Sequence, residues 1–203
     1  MESVSSSHGC GPAGGHRGAV GEIVSIQADY GELLYPNGLP RLADPALAGG
    51  ALLDLGIYPV SFAHLVLGGF DNVTAVGTLI ETGVDSSETI TAVRGTALAT
   101  LSSTMLGWTP GRASITGTRG RIDIDSWFYR PSTVRLVSNT GIELAFYDPP
   151  TRHHGLAYEA AEFARLLTGG KQESELLPLT ETVRIMQVLD EVRAQLGVRF
   201  PGE

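Results

Sequence analysis

A run of seven short segments with the signature of β-strands, between residues 72 and 146, constrains the fold more than any other feature of the sequence. Turns of Gly, Pro, Asn or Asp separate these segments. An eighth segment, Ile23–Tyr30, alternates in the same way ahead of the run. Because the connections are short, most neighbouring strands are expected to be antiparallel. The predicted strands of the run are Asn72–Ile80, Glu88–Arg94, Ala97–Thr104, Arg112–Thr118, Arg121–Asp125, Thr133–Ser138 and Ile142–Phe146.

Three helices are predicted around these strands. The first runs from about Ala51 to Leu67, and Pro59 inside it is expected to kink it directly after Tyr58. Two amphipathic segments, Leu156–Thr168 and Thr180–Leu196, follow the strands. The pattern predicts an α+β fold with a large, mostly antiparallel open sheet and helices on one face. It contains no βαβ units, so no Rossmann domain is expected within it.

The second face of the predicted sheet indicates whether the chain associates with another molecule. Ala97–Thr104 has apolar or small hydroxylated residues on both faces. A strand of this kind is typical of a sheet buried on both sides. The sequence therefore predicts self-association through the open face, as a homodimer or higher homo-oligomer.

The N-terminal segment, residues 1–18, is rich in Ser and Gly and is interpreted as a disordered leader to a single domain at 19–203. It contains Gly9-Cys10-Gly11-Pro12-Ala13-Gly14, which spells G-x-G-x-x-G. A dinucleotide-binding turn needs a strand before this motif and a helix after it. Neither is predicted here, so no cofactor-binding residue is assigned.

Composition excludes several kinds of function. A net charge of −8 argues against nucleic acid or an anionic membrane surface as a partner. The lone Cys10 excludes an internal disulfide and a multi-cysteine zinc site, and no signal peptide is visible, so a cytoplasmic location is expected. Within the apolar stretch 51–67, Asp54, Pro59 and His64 argue against a membrane span.

Residues 49–59 read Gly-Gly-Ala-Leu-Leu-Asp-Leu-Gly-Ile-Tyr-Pro and place Asp54 four residues before Tyr58. On a helix the two side chains are offset by about 40° and point into one pocket. A carboxylate beside a phenol can handle protons, although a tyrosine that titrates near 10 needs a cation or an acid beside it. The alternative interpretation is a helix-start acid and a half-buried core tyrosine.

The other polar residues are weaker candidates for a catalytic or metal-binding role. His64 lies about 240° around the helix from Tyr58, so a packing role is predicted. His153-His154 has no acid at ligand spacing, and no metal site is predicted. Arg41 is a further candidate for substrate binding.

The 49–59 motif resembles the signature of the glucose–fructose oxidoreductase / inositol dehydrogenase family, in its C-terminal, substrate-binding domain. Gly18–Ile23, Gly117–Gly120 and Glu159–Gly197 agree in order and spacing, so the resemblance covers roughly residues 17–201. A tyrosine at position 58 resembles the branch with dimeric dihydrodiol and NADP-dependent xylose dehydrogenases. The resemblance implies that Tyr58 handles the proton of the substrate hydroxyl, that Asp54 orients the substrate, and that the open sheet face forms a dimer.

Members of that family also have a Rossmann domain for NAD or NADP and a Glu-Lys-Pro motif whose lysine stands beside the tyrosine. This sequence has no Glu-Lys-Pro, and its single lysine, Lys171, lies in a Gly-Gly-Lys turn. No cofactor is therefore expected to bind to these residues by themselves.

Three hypotheses follow. In the first, the chain is the substrate-binding and oligomerisation domain of an NAD(P)-dependent oxidoreductase of a sugar or polyol-like hydroxyl, truncated and inactive alone. In the second, it is a stand-alone, non-catalytic sugar-binding or assembly module. In the third, a separate polypeptide supplies the Rossmann half.

Overall fold

A computed structural model describes residues 18–150 and 155–203, and in this part the chain forms one eight-stranded sheet with three α-helices. The predicted leader thus lies outside the described residues except for Gly18. The strands are β1 Ile23–Gly31, β2 Asn72–Leu79, β3 Asp85–Arg94, β4 Ala97–Thr104, β5 Ala113–Gly117, β6 Gly120–Ile124, β7 Val134–Ser138 and β8 Glu143–Tyr147. The α-helices are α1 Ile57–Leu67, α2 Leu156–Thr168 and α3 Leu179–Leu196.

The strand order is β2-β3-β4-β1-β5-β6-β7-β8, so the first strand of the chain lies inside the sheet. β1 runs parallel to β4 and antiparallel to β5, with Ala28 opposite both Leu101 and Ala113. All other neighbours are antiparallel, as the short connections predicted. The α+β class and the mostly antiparallel open sheet are confirmed, and no Rossmann domain occurs among the described residues.

One face of the sheet holds the core because the strands alternate. Ile26, Ala28 and Tyr30 of β1 are buried, whereas Gln27 between them is exposed. α1 and α3 pack on the buried face, with α1 against β1 and β4 and α3 against β2. A fully buried side chain such as Leu101, which is 0% exposed, contributes about 1.5–3 kcal/mol.

Neither α1 nor α3 lies on the opposite face. That face is lined by hydroxylated residues of the central strands, including Thr89, Thr91 and Thr100, all exposed. Its predicted burial through self-association remains a prediction.

The stretch Pro45–Leu67 is long and apolar enough by composition to cross a membrane. Here it consists of a short 3-10 helix at Pro45–Leu47, a π-helical turn at Leu52–Gly56 and then α1. Leu52, Leu55 and Val60 from this stretch are buried in the core. Its apolar character is thus used for packing against the sheet.

The kink expected directly after Tyr58 remains a prediction, and the irregular helical geometry lies on the other side of Tyr58. α1 continues without interruption through Pro59 to Leu67, and the irregular geometry precedes Tyr58, in the π-helical turn. A proline ring inside a helix clashes with the carbonyl four residues earlier, which here belongs to Leu55. Leu55 lies in the widened turn, so the distortion occurs on the N-terminal side of the proline.

Candidate functional site

The π-helical turn Leu52–Gly56 carries Asp54 and leads directly into Tyr58 at the second position of α1. Single π-turns inside helices occur frequently at functional sites. Gly50 enters the turn with φ 119°, and a Cβ there would lie 2.2 Å from Asp85 Oδ1. Glycine is therefore required for the chain to approach β3 this closely. The double glycine of the sequence motif thus fixes the position of the turn that carries Asp54.

Asp54 is paired with Arg41. Arg41 lies in a short 3-10 helix, Pro40–Ala43, and its Nη2 donates to Asp54 Oδ1 at 2.6 Å. The two side chains are 52% and 24% exposed, so the pair contributes about 0–1 kcal/mol to stability. The structure thus brings together two of the three residues that the sequence nominated.

Tyr58, the third nominated residue, lies in a cluster of three tyrosines. Its ring meets Tyr30 of β1 edge-on, with centroids 5.3 Å apart, and Tyr129 at 4.6 Å. The Tyr30 hydroxyl donates to Glu32 Oε1 at 2.6 Å. Tyr58 itself remains 41% exposed, so one side of its ring faces solvent while the other is held in place.

Tyr58 is a neutral phenol around neutral pH. Partial burial raises its pKa above the usual 10.0, and the nearby Tyr129 and Asp54 raise it further, whereas Arg130 lowers it. A neutral phenol has a proton to donate, although the raised pKa makes it a weaker acid, and it can act as a base only after losing that proton. The described residues include one lysine, Lys171, and that lysine pairs with Glu175 instead of Tyr58.

Sequence reasoning missed the loop between β6 and β7, which supplies Trp127, Tyr129 and Arg130. The Arg130 guanidinium lies 4.7 Å from the Trp127 ring and 5.2 Å from the Tyr129 ring. Phe128 anchors this loop on α1, where it packs against Phe62 at 5.4 Å. The signal in the sequence was the run Trp-Phe-Tyr-Arg in an otherwise polar turn, which is unusual for a simple connection.

Two surface hollows occur near these elements. One of about 440 Å³ lies beside the loop and is lined by Phe128, Arg130 and Tyr158, among others. The larger one, about 660 Å³, is lined by open-face residues such as Gln27, Thr100 and Ser114. The larger hollow lies on the face opposite the helices, so the sheet separates it from Tyr58 and it does not belong to this site.

No metal site is formed by the described residues, among which no group of three or more His, Cys, Asp or Glu side chains could hold an ion. His64 is 5% exposed and packs edge-on against Phe70 at 5.5 Å, with Glu181 3.6 Å from its Nδ1. This placement agrees with the predicted packing role. Cys10, the Gly9–Gly14 motif and His153-His154 lie outside the described residues.

The open sheet with helices on one face, and the acid–phenol pair where a helix begins over that sheet, agree with the C-terminal domain that the sequence resembles. The sequence matches the profile of the GFO/IDH/MocA C-terminal domain over residues 16–123, just over half of the chain. The chain belongs to this family.

Curated relatives agree with this assignment. The chain is 37% identical over 195 residues to trans-1,2-dihydrobenzene-1,2-diol dehydrogenase of Xenopus laevis, covering 90% of this chain and 57% of that protein. It is 32% identical over 197 residues to the human protein of the same name, covering 92% and 58%. The chain therefore spans little more than half the length of the relatives it matches.

Solved structures show the same fold. The aldose-aldose oxidoreductase of Caulobacter crescentus, complexed with glycerol, superposes with a TM-score of 0.72 at 20% identity, covering 87% of this chain and 54% of that one. A 3-ketoreductase from Actinomadura kijaniata, in complex with NADP and TDP-benzene, gives 0.71 at 24% identity, covering 89% and 56%.

Proposed function

We propose that the chain is the substrate-binding and oligomerisation domain of an NAD(P)-dependent oxidoreductase that acts on the hydroxyl of a sugar or polyol-like compound. The observation that carries this proposal is the Arg41–Asp54–Tyr58 arrangement beside an aromatic wall, in a chain of this family. In this proposal a second, nucleotide-binding domain completes the enzyme.

The chemistry assigned to the chain is proton transfer. The Tyr58 hydroxyl donates its proton to the oxygen of a carbonyl substrate as that oxygen becomes a hydroxyl, and it takes the proton back in the reverse direction. The raised pKa of Tyr58 keeps the proton on the hydroxyl in this chain taken alone, so the group that meets the substrate is the phenol. Asp54, held by Arg41, orients the substrate hydroxyls next to the reacting one.

A bound nicotinamide cofactor would supply the hydride in such a reaction. The described residues do not fit that group, because they contain no glycine-rich strand–turn–helix to hold a pyrophosphate. A relative of known structure was crystallised with NADP. Cofactor binding is therefore assigned to a domain outside the described residues, encoded with them or separately.

The substrate class follows from the aromatic wall. Relatives of this chain are named for a cyclic vicinal diol, trans-1,2-dihydrobenzene-1,2-diol. Trp127 is 47% exposed and Tyr129 borders Tyr58, so both can lie against the flat side of a ring. The Asp54 carboxylate and the Arg41 guanidinium contact the hydroxyls of the same substrate molecule. A ring that bears neighbouring hydroxyls, such as an aldose or a cyclic diol, can both stack on the aromatic side chains and hydrogen-bond to this pair.

Exposed apolar residues on α2 support the proposal that a further domain packs against this helix. Only Leu166 of this helix is buried, whereas Leu156, Phe163 and Leu167 are 68%, 63% and 61% exposed. An exposed apolar stripe of this kind marks an interaction surface. We assign it to the nucleotide-binding domain and the open sheet face to a second copy of the chain, with no role for nucleic acid or membrane. The cytoplasm remains the predicted location.

The alternative function, a stand-alone binding or assembly module, has one observation in its favour. No lysine lies beside Tyr58 among the described residues, and the raised pKa of Tyr58 leaves little phenolate at neutral pH to act as a base. A module of this kind would bind the ligand without converting it.

Two measurements separate the alternatives. The first is calorimetric titration of the chain with aldoses and cyclic diols, together with sedimentation to measure its mass. The second is the same chain fused to the part of the Xenopus laevis relative that the match leaves uncovered, which is the proposed nucleotide-binding part, assayed for substrate-dependent NAD(P)H formation. Activity of the fusion that is lost in Tyr58→Phe and retained in Tyr35→Phe, whose hydroxyl binds Glu81 instead, supports the enzyme. Ligand binding without turnover in the fusion supports the module.

A further inference from the structure

Two acidic side chains of β3, Asp85 and Glu88, are buried directly beneath the π-helical turn. They are 1% and 3% exposed. Acidic groups are almost never fully buried unless they are paired, and burying two of them side by side is costlier still. Neither residue takes part in the proton transfer proposed for Tyr58, so their presence under the turn needs its own explanation.

Asp85 holds the start of the turn. Its Oδ2 accepts the backbone N–H of Leu52 at 2.6 Å, and its Oδ1 occupies the space that a Cβ of Gly50 would need. Burial raises the pKa of Asp85, while the backbone N–H groups of Leu52 and Ala51 act in the opposite direction. A negative charge is favoured where a helix begins, so Asp85 is the member of the pair that carries the charge.

Glu88 lies deeper and is the neutral member. Its Oε1 accepts a hydrogen bond from Ser103 of β4, and its Oε2 has no hydrogen-bond partner among the described residues. Burial, and after it the negative charge of Asp85, raises the pKa of Glu88 well above its usual range. Asp85 is the one charged group of the described chain that acts on it.

Gly56 shows how closely Glu88 supports the turn. A Cβ at Gly56 would lie 2.8 Å from Glu88 Oε1 and 2.7 Å from Ser103 Oγ. The backbone of the turn therefore rests on the Glu88–Ser103 pair at the residue midway between Asp54 and Tyr58. A shift of either carboxyl group would move this backbone.

We propose that Asp85 and Glu88 are positioning residues that together carry a single negative charge: Asp85, ionised, anchors the first amide of the π-helical turn, and Glu88, protonated, supports its last residue. In this way the pair fixes the spacing of Asp54 and Tyr58. The inference depends on the proposed function only in taking those two residues as the reacting groups. The experiments below observe the chain's own signals, without cofactor or substrate, so an inactive fusion would not affect their outcome.

The direct test uses the unmodified chain. Carboxyl ¹³C NMR is recorded across pH. We expect the Glu88 signal to remain that of a protonated acid at neutral pH. If the Glu88 signal at neutral pH is that of a carboxylate, the proposal is wrong.

Variants then separate positioning from simple packing. Glu88→Gln imitates the protonated acid and should leave the Leu52 amide and Tyr58 ring signals in place. Asp85→Asn replaces a charged acceptor by a neutral one, and we expect hydrogen exchange at the Leu52 amide to accelerate about tenfold and the Tyr58 ring signals to shift. Asp71→Asn is the matched control, since Asp71 also accepts a backbone amide, from Gly95, at an exposed site.

Two results would overturn the proposal. One is a Glu88→Gln variant that shifts the Leu52 and Tyr58 signals as strongly as Asp85→Asn, because the neutral isostere would then fail to replace Glu88. The other is an Asp85→Asn variant that changes these signals no more than Asp71→Asn. Should Asp85→Asn not fold, the titration of the unmodified chain and the Glu88→Gln spectra still decide the question.

Discussion

The two halves of the sheet differ in how completely they are packed. On the half formed by β2, β3, β4 and β1, the strands are covered by α1 and α3 and contain fully buried residues such as Ile90 and Leu101. At the other end every residue of β8 is exposed, and α2 buries a single side chain. The half beneath the turn that carries Asp54 is thus densely packed, while the other half exposes surfaces suited to binding further chain.

Truncation of a core side chain should show this contrast most strongly. Leu101→Ala on β4 removes a side chain that is 0% exposed, and we expect it to lower the free energy of unfolding by about 2–5 kcal/mol. Phe146→Ala on β8, where the ring is 55% exposed, should change it by about 0.5 kcal/mol or less. Urea unfolding measures both. Equal losses would mean that the two halves are packed alike.

Replacement of a glycine by alanine should also cost more stability in the densely packed half than in the other half. Gly50→Ala forces a Cβ against Asp85 at a φ of 119°, so we expect a loss of about 2–4 kcal/mol. Gly141→Ala, in the β7–β8 turn, also has a positive φ, of 82°, but meets no atom within 4 Å. Its loss should be about 1–2 kcal/mol, from strain alone. A Gly50→Ala variant no worse than the Gly141→Ala control would show that the turn can move away from β3.

The buried acid should make stability depend on pH. The pKa of Glu88 is raised on folding above 4.5, so the folded state binds a proton that the unfolded state releases. Stability therefore decreases as pH rises from about 4.5 toward the raised pKa, by up to about 1.4 kcal/mol per pH unit. Glu88→Gln should remove this slope, which unfolding curves at several pH values would show. An unchanged slope would assign the effect to other groups.

The smallest effect is expected at the exposed pair. Arg41→Ala should cost about 0–1 kcal/mol of stability, because the Arg41–Asp54 pair is largely in solvent. Its effect on the calorimetric affinity for a cyclic diol or aldose should be larger than its effect on stability. Arg94→Ala, which breaks the similarly exposed pair with Asp71, serves as the control. Affinity that falls equally in both variants would argue against a role for Arg41 at the substrate.

Much of the fold could be predicted because period-two alternation and turn residues are local signals. β4 matches its predicted bounds, and all the other strands except β3 differ by one residue at one or both ends. β3 begins at Asp85 instead of Glu88, because an acid followed by two serines resembles a turn when burial is unknown. The parallel pairing of β1 with β4 joins residues that are far apart in the sequence and has no local sequence signal, so it could not be predicted.

The candidate site was predicted in part, for the same reason. Asp54 and Tyr58 lie within one local motif, and Arg41 is near it in the chain, whereas Tyr30 and Tyr129 reach Tyr58 from a distant strand and loop. Contacts of this kind depend on tertiary packing. The π-helical turn also has no simple sequence signal, since Pro59 indicates a distortion without fixing the side on which it occurs.

The position of β1 has a consequence for how the chain folds. β2, β3 and β4 form one meander and β5 to β8 another, and β1 is the strand that joins them. Yet β1 is synthesised first, and its partners follow much later, as with Ser25 and Leu98, which are roughly 70 residues apart. At about 5–20 residues per second, β1 waits several seconds on the ribosome before it can pair. We therefore expect folding to be slow, with the insertion of this strand as its late step.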